Sequence, residues 1–200
     1  MAQSNELVMV STFTQPARTL RHSGPFCYPY REVIGLKLED ETIGNLEANE
    51  EELSLPPEIA NRLMSCALAM RRSGPYNCHR FTRVLAGLIA PSWDYKTQGP
   101  ESEAHFAPPD MELTGLVSAS AIQIGRIGIV GVTKPNLTNP RERIPHSFIG
   151  LEEESLQFTT FGGMLSIVNN ADLLTYYQRH IRSTSVDLYQ IDNNAFALPD

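Results

Sequence analysis

Downstream of residue 120 the chain is a succession of short apolar runs separated only by turn signals, and this restricts the fold more than any other feature. Ile122-Gln123-Ile124-Gly125-Arg126-Ile127-Gly128-Ile129-Val130-Gly131-Val132 is rich in β-branched residues and alternates, so it predicts one or two strands with a turn or bulge at a glycine. After a polar, proline-punctuated loop over 134–145, His146–Leu151 reads as a strand. It turns at Glu152-Glu153-Glu154 into a second strand over 156–161. Gly162-Gly163 is a hairpin signal, and 164–168 gives a further short strand. Asn169 or Asn170 caps a helix carrying Leu173, Leu174, Tyr177 and Ile181, and 186–191 offers a last strand before a frayed end. Strands adjacent in sequence and joined by short turns imply an antiparallel sheet. With helices segregated to one side of it, the class is α+β.

Two helices precede this sheet. Ser54 and Pro56-Pro57 announce the first, because proline is tolerated where the first-turn N–H has no partner. Its apolar stripe is Ile59, Leu63, Cys66, Ala67 and Met70, and Gly74 supplies the left-handed stop. Asn77 is suited to cap the second, whose buried face is Phe81, Val84, Leu85 and Leu88 and which ends by Pro91. Residues 1–30 read as a loosely held arm or an edge strand, 33–38 as a strand, and the acidic stretch 39–52 as solvated surface. The expected organisation is therefore a partly ordered N-terminal extension over 1–52 and a domain over 53–200, with an insertion at 91–115 rich in Pro, Gly, Ser and Glu.

The 200 residues suffice for one sizeable core, and a 42% apolar content fits a globular chain. A net charge of −7 excludes a nucleic-acid surface, which needs clustered Lys and Arg to neutralise phosphates. No apolar run reaches the roughly 18 residues of a membrane span, and residues 1–15 lack a secretory signal, so a cytoplasmic location is expected. Non-classical secretion stays open. Cys27, Cys66 and Cys78 are an odd number in a chain that needs no staples, which favours free thiols.

Cys78 is the candidate nucleophile. At the first helical position it meets free N–H groups and the positive end of the macrodipole, both of which favour the thiolate. A thiol enzyme also needs a base and a group that orients it. His79 is adjacent and points about 100° around the helix, a poor geometry for a direct contact. His146 opens a strand directly after a loop and is the best-placed partner. If 152–155 closes a two-residue hairpin, alternation puts Gln157 and Thr159 on the face of His146, and the Gln157 amide oxygen can accept from an imidazole N–H.

Asn77-Cys78 opening an amphipathic helix, the Gly-punctuated strand 123–130 and His146-Ser147-Phe148-Ile149-Gly150-Leu151 together resemble the NlpC-type branch of the papain-like cysteine peptidases. The resemblance covers about residues 75–170. It implies a papain-like α+β core in which a Cys-bearing helix packs on an antiparallel sheet, with a Cys nucleophile, a His base and a polar third residue from the next strand. It also implies hydrolysis of a peptide or amide bond, of peptidoglycan type or an isopeptide, with no cofactor. Three positions depart from the pattern. Asn77 stands for the usual Asp, His79-Arg80 for a small Ser-Gly pair, and Arg126 for the Asp of a Gly-Asp turn. An ungapped match would put Phe158 at the third position and leave a dyad or an inactive site.

The expected site is thus Cys78, His146 and Gln157, with Thr159 as the alternative third residue. A non-catalytic binding or structural module on the same scaffold and a cysteine acyltransferase are the competing functions. A zinc site is disfavoured, because Cys78-His79 has no Cys-x-x-Cys or His-x-x-x-His companion. No Gly-rich phosphate loop is present. Oligomeric state is left open.

Overall fold

The computed structural model describes residues 6–21, 27–73, 78–87, 113–117, 122–133, 146–159, 164–180 and 185–191. Among the described residues ten strands form one sheet: β1 (Val8–Arg21), β2 (Cys27–Leu38), β3 (Glu41–Gly44), β4 (Asn49–Leu55), β5 (Leu113–Val117), β6 (Ile127–Thr133), β7 (His146–Leu151), β8 (Glu154–Thr159), β9 (Met164–Asn169) and β10 (Ser185–Ile191). Their order is β4-β1-β2-β9-β8-β7-β6-β10-β5, with β3 paired to β2 off this path. Among the described residues three helices lie on the sheet: α1 (Pro57–Ser73), α2 (Cys78–Leu85) and α3 (Asn170–His180).

The N-terminal segment is not an appendage. β1 lies between β2 and β4, and β2 pairs with β9 through Arg31↔Ile167 and Glu32↔Ser166. The expected boundary at residue 52 falls inside β4. The acidic stretch is largely solvent-exposed, as expected, but 41–44 form β3 and 49–52 belong to β4. Glu50 and Glu52 are exposed on β4, the outermost strand, where charge suits an edge that must not recruit another chain. The 186–191 strand is likewise internal, sitting as β10 between β6 and β5. Of the expected insertion at 91–115, residues 113–115 belong to β5 and the rest lies outside the described residues.

Local chemistry accounts for the element ends. Pro57 opens α1, and Asn169 caps α3 by accepting a bond from the Ala171 N–H at 2.9 Å. Gly87, at φ 81°, follows the end of α2, and Arg62 of α1 donates to the Leu85 carbonyl at 3.1 Å. Leu151 pairs with Glu154, so Glu152 and Glu153 are a two-residue turn whose first member takes φ 66°. Asn77, the expected cap of α2, lies outside the described residues.

Burial divides the core in two, and the sheet is the partition. Ile127, Ile129, Ile149, Leu156, Phe158, Leu165 and Ile167 pack with Leu63, Cys66, Phe81 and Leu85 of α1 and α2. Their strand neighbours Val130, Phe148 and Val168 pack instead with Leu173 and Tyr176 of α3. Successive side chains of a strand point to opposite faces, so β6, β7 and β9 are buried on both. The helices are therefore not segregated to one side, as the sequence led us to expect. α1 and α2 cover one face, and α3 covers the other.

Candidate functional site

The parity of β7 decides what its two polar residues can do. His146 shares a face with Phe148, and Ser147 shares the other with Ile149. His146 is buried, and its ring stacks on Phe148 and on Tyr177 of α3, with centroids 6.2 and 5.7 Å away. Its Nε2–H donates to Gln157 Oε1 at 2.5 Å. The amide oxygen can only accept, so this bond sets the tautomer. Burial lowers the imidazole pKa from 6.5 to about 4, the Gln157 hydrogen bond opposing the fall, and the ring is neutral at pH 7.

On the opposite face Ser147 meets α2. His79 Nδ1 lies 2.9 Å from Ser147 Oγ, which is 2.8 Å from Thr82 Oγ1. Thr82 Oγ1 is in turn 3.1 Å from the carbonyl oxygens of Cys78 and His79, which only accept. One arrangement satisfies each donor: His79 N–H to Ser147, Ser147 O–H to Thr82, and Thr82 O–H to the helix carbonyls. Whichever way its protons run, this trio fastens α2 to β7. Ser147 and Thr82 are fully buried, in keeping with that role.

The structure therefore brings together two of the three expected residues and sets the third apart. His146 and Gln157 are hydrogen-bonded on one face; the hairpin closes at Leu151↔Glu154 and not at 152–155, which shifts the register but keeps the parity that puts them there. Cys78 is at the first position of α2, 4% exposed, on the helix that covers the Ser147 face. The imidazole of His146 stacks on the α3 side of β7, whereas His79, next to Cys78 on α2, meets Ser147 on the other side. Thr159 ends β8, and its side chain lies outside the described residues. His79, Thr82, Ser147 and Tyr177 carry the polar and ring contacts around the two faces, and the sequence singled out none of them for it. Two full burials were the missing signal: a strand apolar on both faces gives no period-2 hint of which face a given helix will take.

A second feature lies where β2 parts from β9. Beyond Glu32↔Ser166, β2 leaves its partner and takes up β3 from Gly35↔Gly44 onward. The fork opens a cleft of about 290 Å³ walled by Val33, Ile34, Ile43, Phe158 and Leu165, with Ala67 of α1 behind it. Among the described residues, no group of three or more His, Cys, Asp or Glu is placed to hold a metal ion, and no helix is long and apolar enough to cross a membrane. Comparison with known proteins finds no family model, no curated protein and no solved structure that matches this chain.

Proposed function

We propose that this chain is a non-catalytic binding module built on an acidic α+β scaffold. The observation that carries this reading is the opposite facing of Cys78's helix and the His146 ring across β7. A thiol and a base need hydrogen-bond reach, about 2.6–3.2 Å or one water, to share a proton. Here the imidazole is held under α3, and its Nε2–H is given to Gln157. The net charge of −7 favours neutral or cationic ligands over nucleic acid.

The papain-like thiol hydrolase, acting on a peptide or amide substrate, is the second reading. The His146–Gln157 bond favours it, since an acceptor that orients an imidazole is what such a site requires. A cysteine acyltransferase would share that chemistry and differ only in the acceptor.

Alkylation of the native protein separates the readings. As a binding module, Cys78 and Cys66 are both buried thiols and react with iodoacetamide at similar rates. Their ratio then stays near one in His146→Gln as well. As a thiol hydrolase, Cys78 reacts far ahead of Cys66 with a thiolate pKa below about 8.5, and His146→Gln removes the advantage.

A further inference from the structure

The sheet has an edge inside its own outline. β4 and β5 are its outermost strands, but β3 pairs with β2 alone, so among the described residues no strand lies against its far flank, which faces the fork. Leu38↔Glu41 closes the β2–β3 hairpin around Glu39 and Asp40, so Leu38↔Glu41 and then Leu36↔Ile43 are its hydrogen-bonded pairs. The Asn45 N–H continues that alternation by donating to the Ile34 carbonyl at 3.0 Å. Thr42 and Gly44 fall between the bonded pairs, and their N–H and C=O groups point away from β2. Side chains alternate in the other sense. Ile43 faces the α1 side with Val33, Leu165 and Phe158, where the cleft of about 290 Å³ lies, and Thr42 is exposed on the opposite face.

A strand edge that presents backbone donors and acceptors above an apolar cleft is suited to take up an extended chain. Charge decides which chain. Glu39, Asp40 and Glu41 are all exposed at the turn, against Lys37 alone across from Thr42. A second copy of a chain with net charge −7 is disfavoured there, because like charges meet as the backbones pair. We propose that the outer edge of β3 binds an extended basic peptide as an added antiparallel strand, with an apolar side chain at every second position. Those side chains enter the cleft beside Ile43, Leu165 and Phe158. The residues between them share hydrogen bonds with the N–H and C=O groups of Thr42 and Gly44. In antiparallel order the peptide's C-terminal end lies nearest the turn, and lysines or arginines there meet the three acids. This edge names a partner for the binding-module reading and rests on that reading for its biological sense, although its geometry is independent of Cys78.

The test is a titration of the isotope-labelled full chain, followed at its backbone amides, with a blocked heptapeptide of alternating threonine and valine that ends in two lysines. The expected result is saturable shifts at Thr42 and Gly44, with affinity at least about tenfold weaker when both lysines are replaced by glutamate. N-methylation of the threonine amides, which face β3, abolishes binding, and N-methylation of the valine amides preserves it. Thr42→Pro removes an outward N–H without touching a bond to β2 and weakens the lysine peptide at least about tenfold. Asp40→Asn with Glu41→Gln reduces the preference for lysine several-fold. Thermal melts of these variants confirm that they are folded. Absence of shifts at Thr42 and Gly44, equal binding of the glutamate peptide, or binding that survives threonine methylation overturns the proposal. Slow hydrogen exchange at both amides in the free protein does so too, because the edge is then filled by the chain itself. Peptide binding by a protein whose Cys78 proves catalytic would remove the non-catalytic reading and keep the site. An inert Cys78 with no peptide binding would do the reverse.

Discussion

Gln157 accepts the Nε2–H of His146 at 2.5 Å, inside the layer between the sheet and α3. The pair joins β7 to β8, and the Tyr177 ring above it joins both to α3. A neutral imidazole is thereby built into the packing of three elements.

The first consequence is a pH dependence with a definite sign. The folded pKa, about 4, is below the unfolded value of 6.5, so the unfolded chain binds the proton first as the pH falls. The stability that comes from keeping His146 neutral is complete above about pH 6.5 and is lost as the pH falls through about 4, amounting to about 3 kcal/mol. Denaturant midpoints between pH 7 and 4 measure it. His146→Gln is expected to flatten the curve over that window.

Removing the acceptor strands a buried donor. Gln157→Leu leaves the His146 N–H without its partner, and a loss of about 1–3 kcal/mol in unfolding free energy is expected. Adding His146→Phe removes the orphan along with its cause. The double variant should therefore lose less than the sum of the two single changes, which a double-mutant cycle measures directly.

Arg31 fastens the N-terminal strands to the β7–β8 hairpin. Its Nη1 and Nη2 donate to the two Glu154 oxygens at 2.8 Å each, and Nε donates to Glu51 at 3.1 Å. All three groups are about a third exposed, so a coupling of about 1 kcal/mol between Arg31→Ala and Glu154→Ala is expected, reduced by salt. Arg31→Lys should not restore it, since an ammonium cannot span both oxygens in one plane.

Gly125 turns the chain into β6 at φ 74°, and a Cβ there would sit 2.5 Å from Pro56 Cγ. Gly125→Ala combines a left-handed backbone with that overlap, and a loss of about 2 kcal/mol or more is expected in thermal or denaturant melts. Glu152, also left-handed but exposed, is the control. Glu152→Gly should leave stability equal or raise it by up to about 1 kcal/mol.

Much of this architecture was legible in the residues. The starts of α1 and α2, the β7 strand, the turn at Glu152 and Glu153, and the choice of Gln157 for the face of His146 follow from capping, alternation and turn length. The N-terminal strands were legible only in part, as a possible edge strand within 1–30 and a strand at 33–38, because the glutamates of β4 read as solvated surface when considered one stretch at a time. The decisive miss was the face covered by α2. Phe148 and Ile149 are equally apolar, and only the packing of Ser147 against His79 and Thr82 reveals which of them looks toward Cys78.

The place of β2 in the sheet has a consequence for how the chain is made. One flank is bonded to β1 and the far end of the other to β3, but Arg31 and Glu32 wait for Ile167 and Ser166, which leave the ribosome more than a hundred residues later. Until then the nascent N-terminal half carries an open flank, and its closure by β9 joins the two ends of the molecule late in synthesis. A ribosome stalled before β9 would therefore display a sticky, incomplete sheet, the kind of surface that chaperones hold.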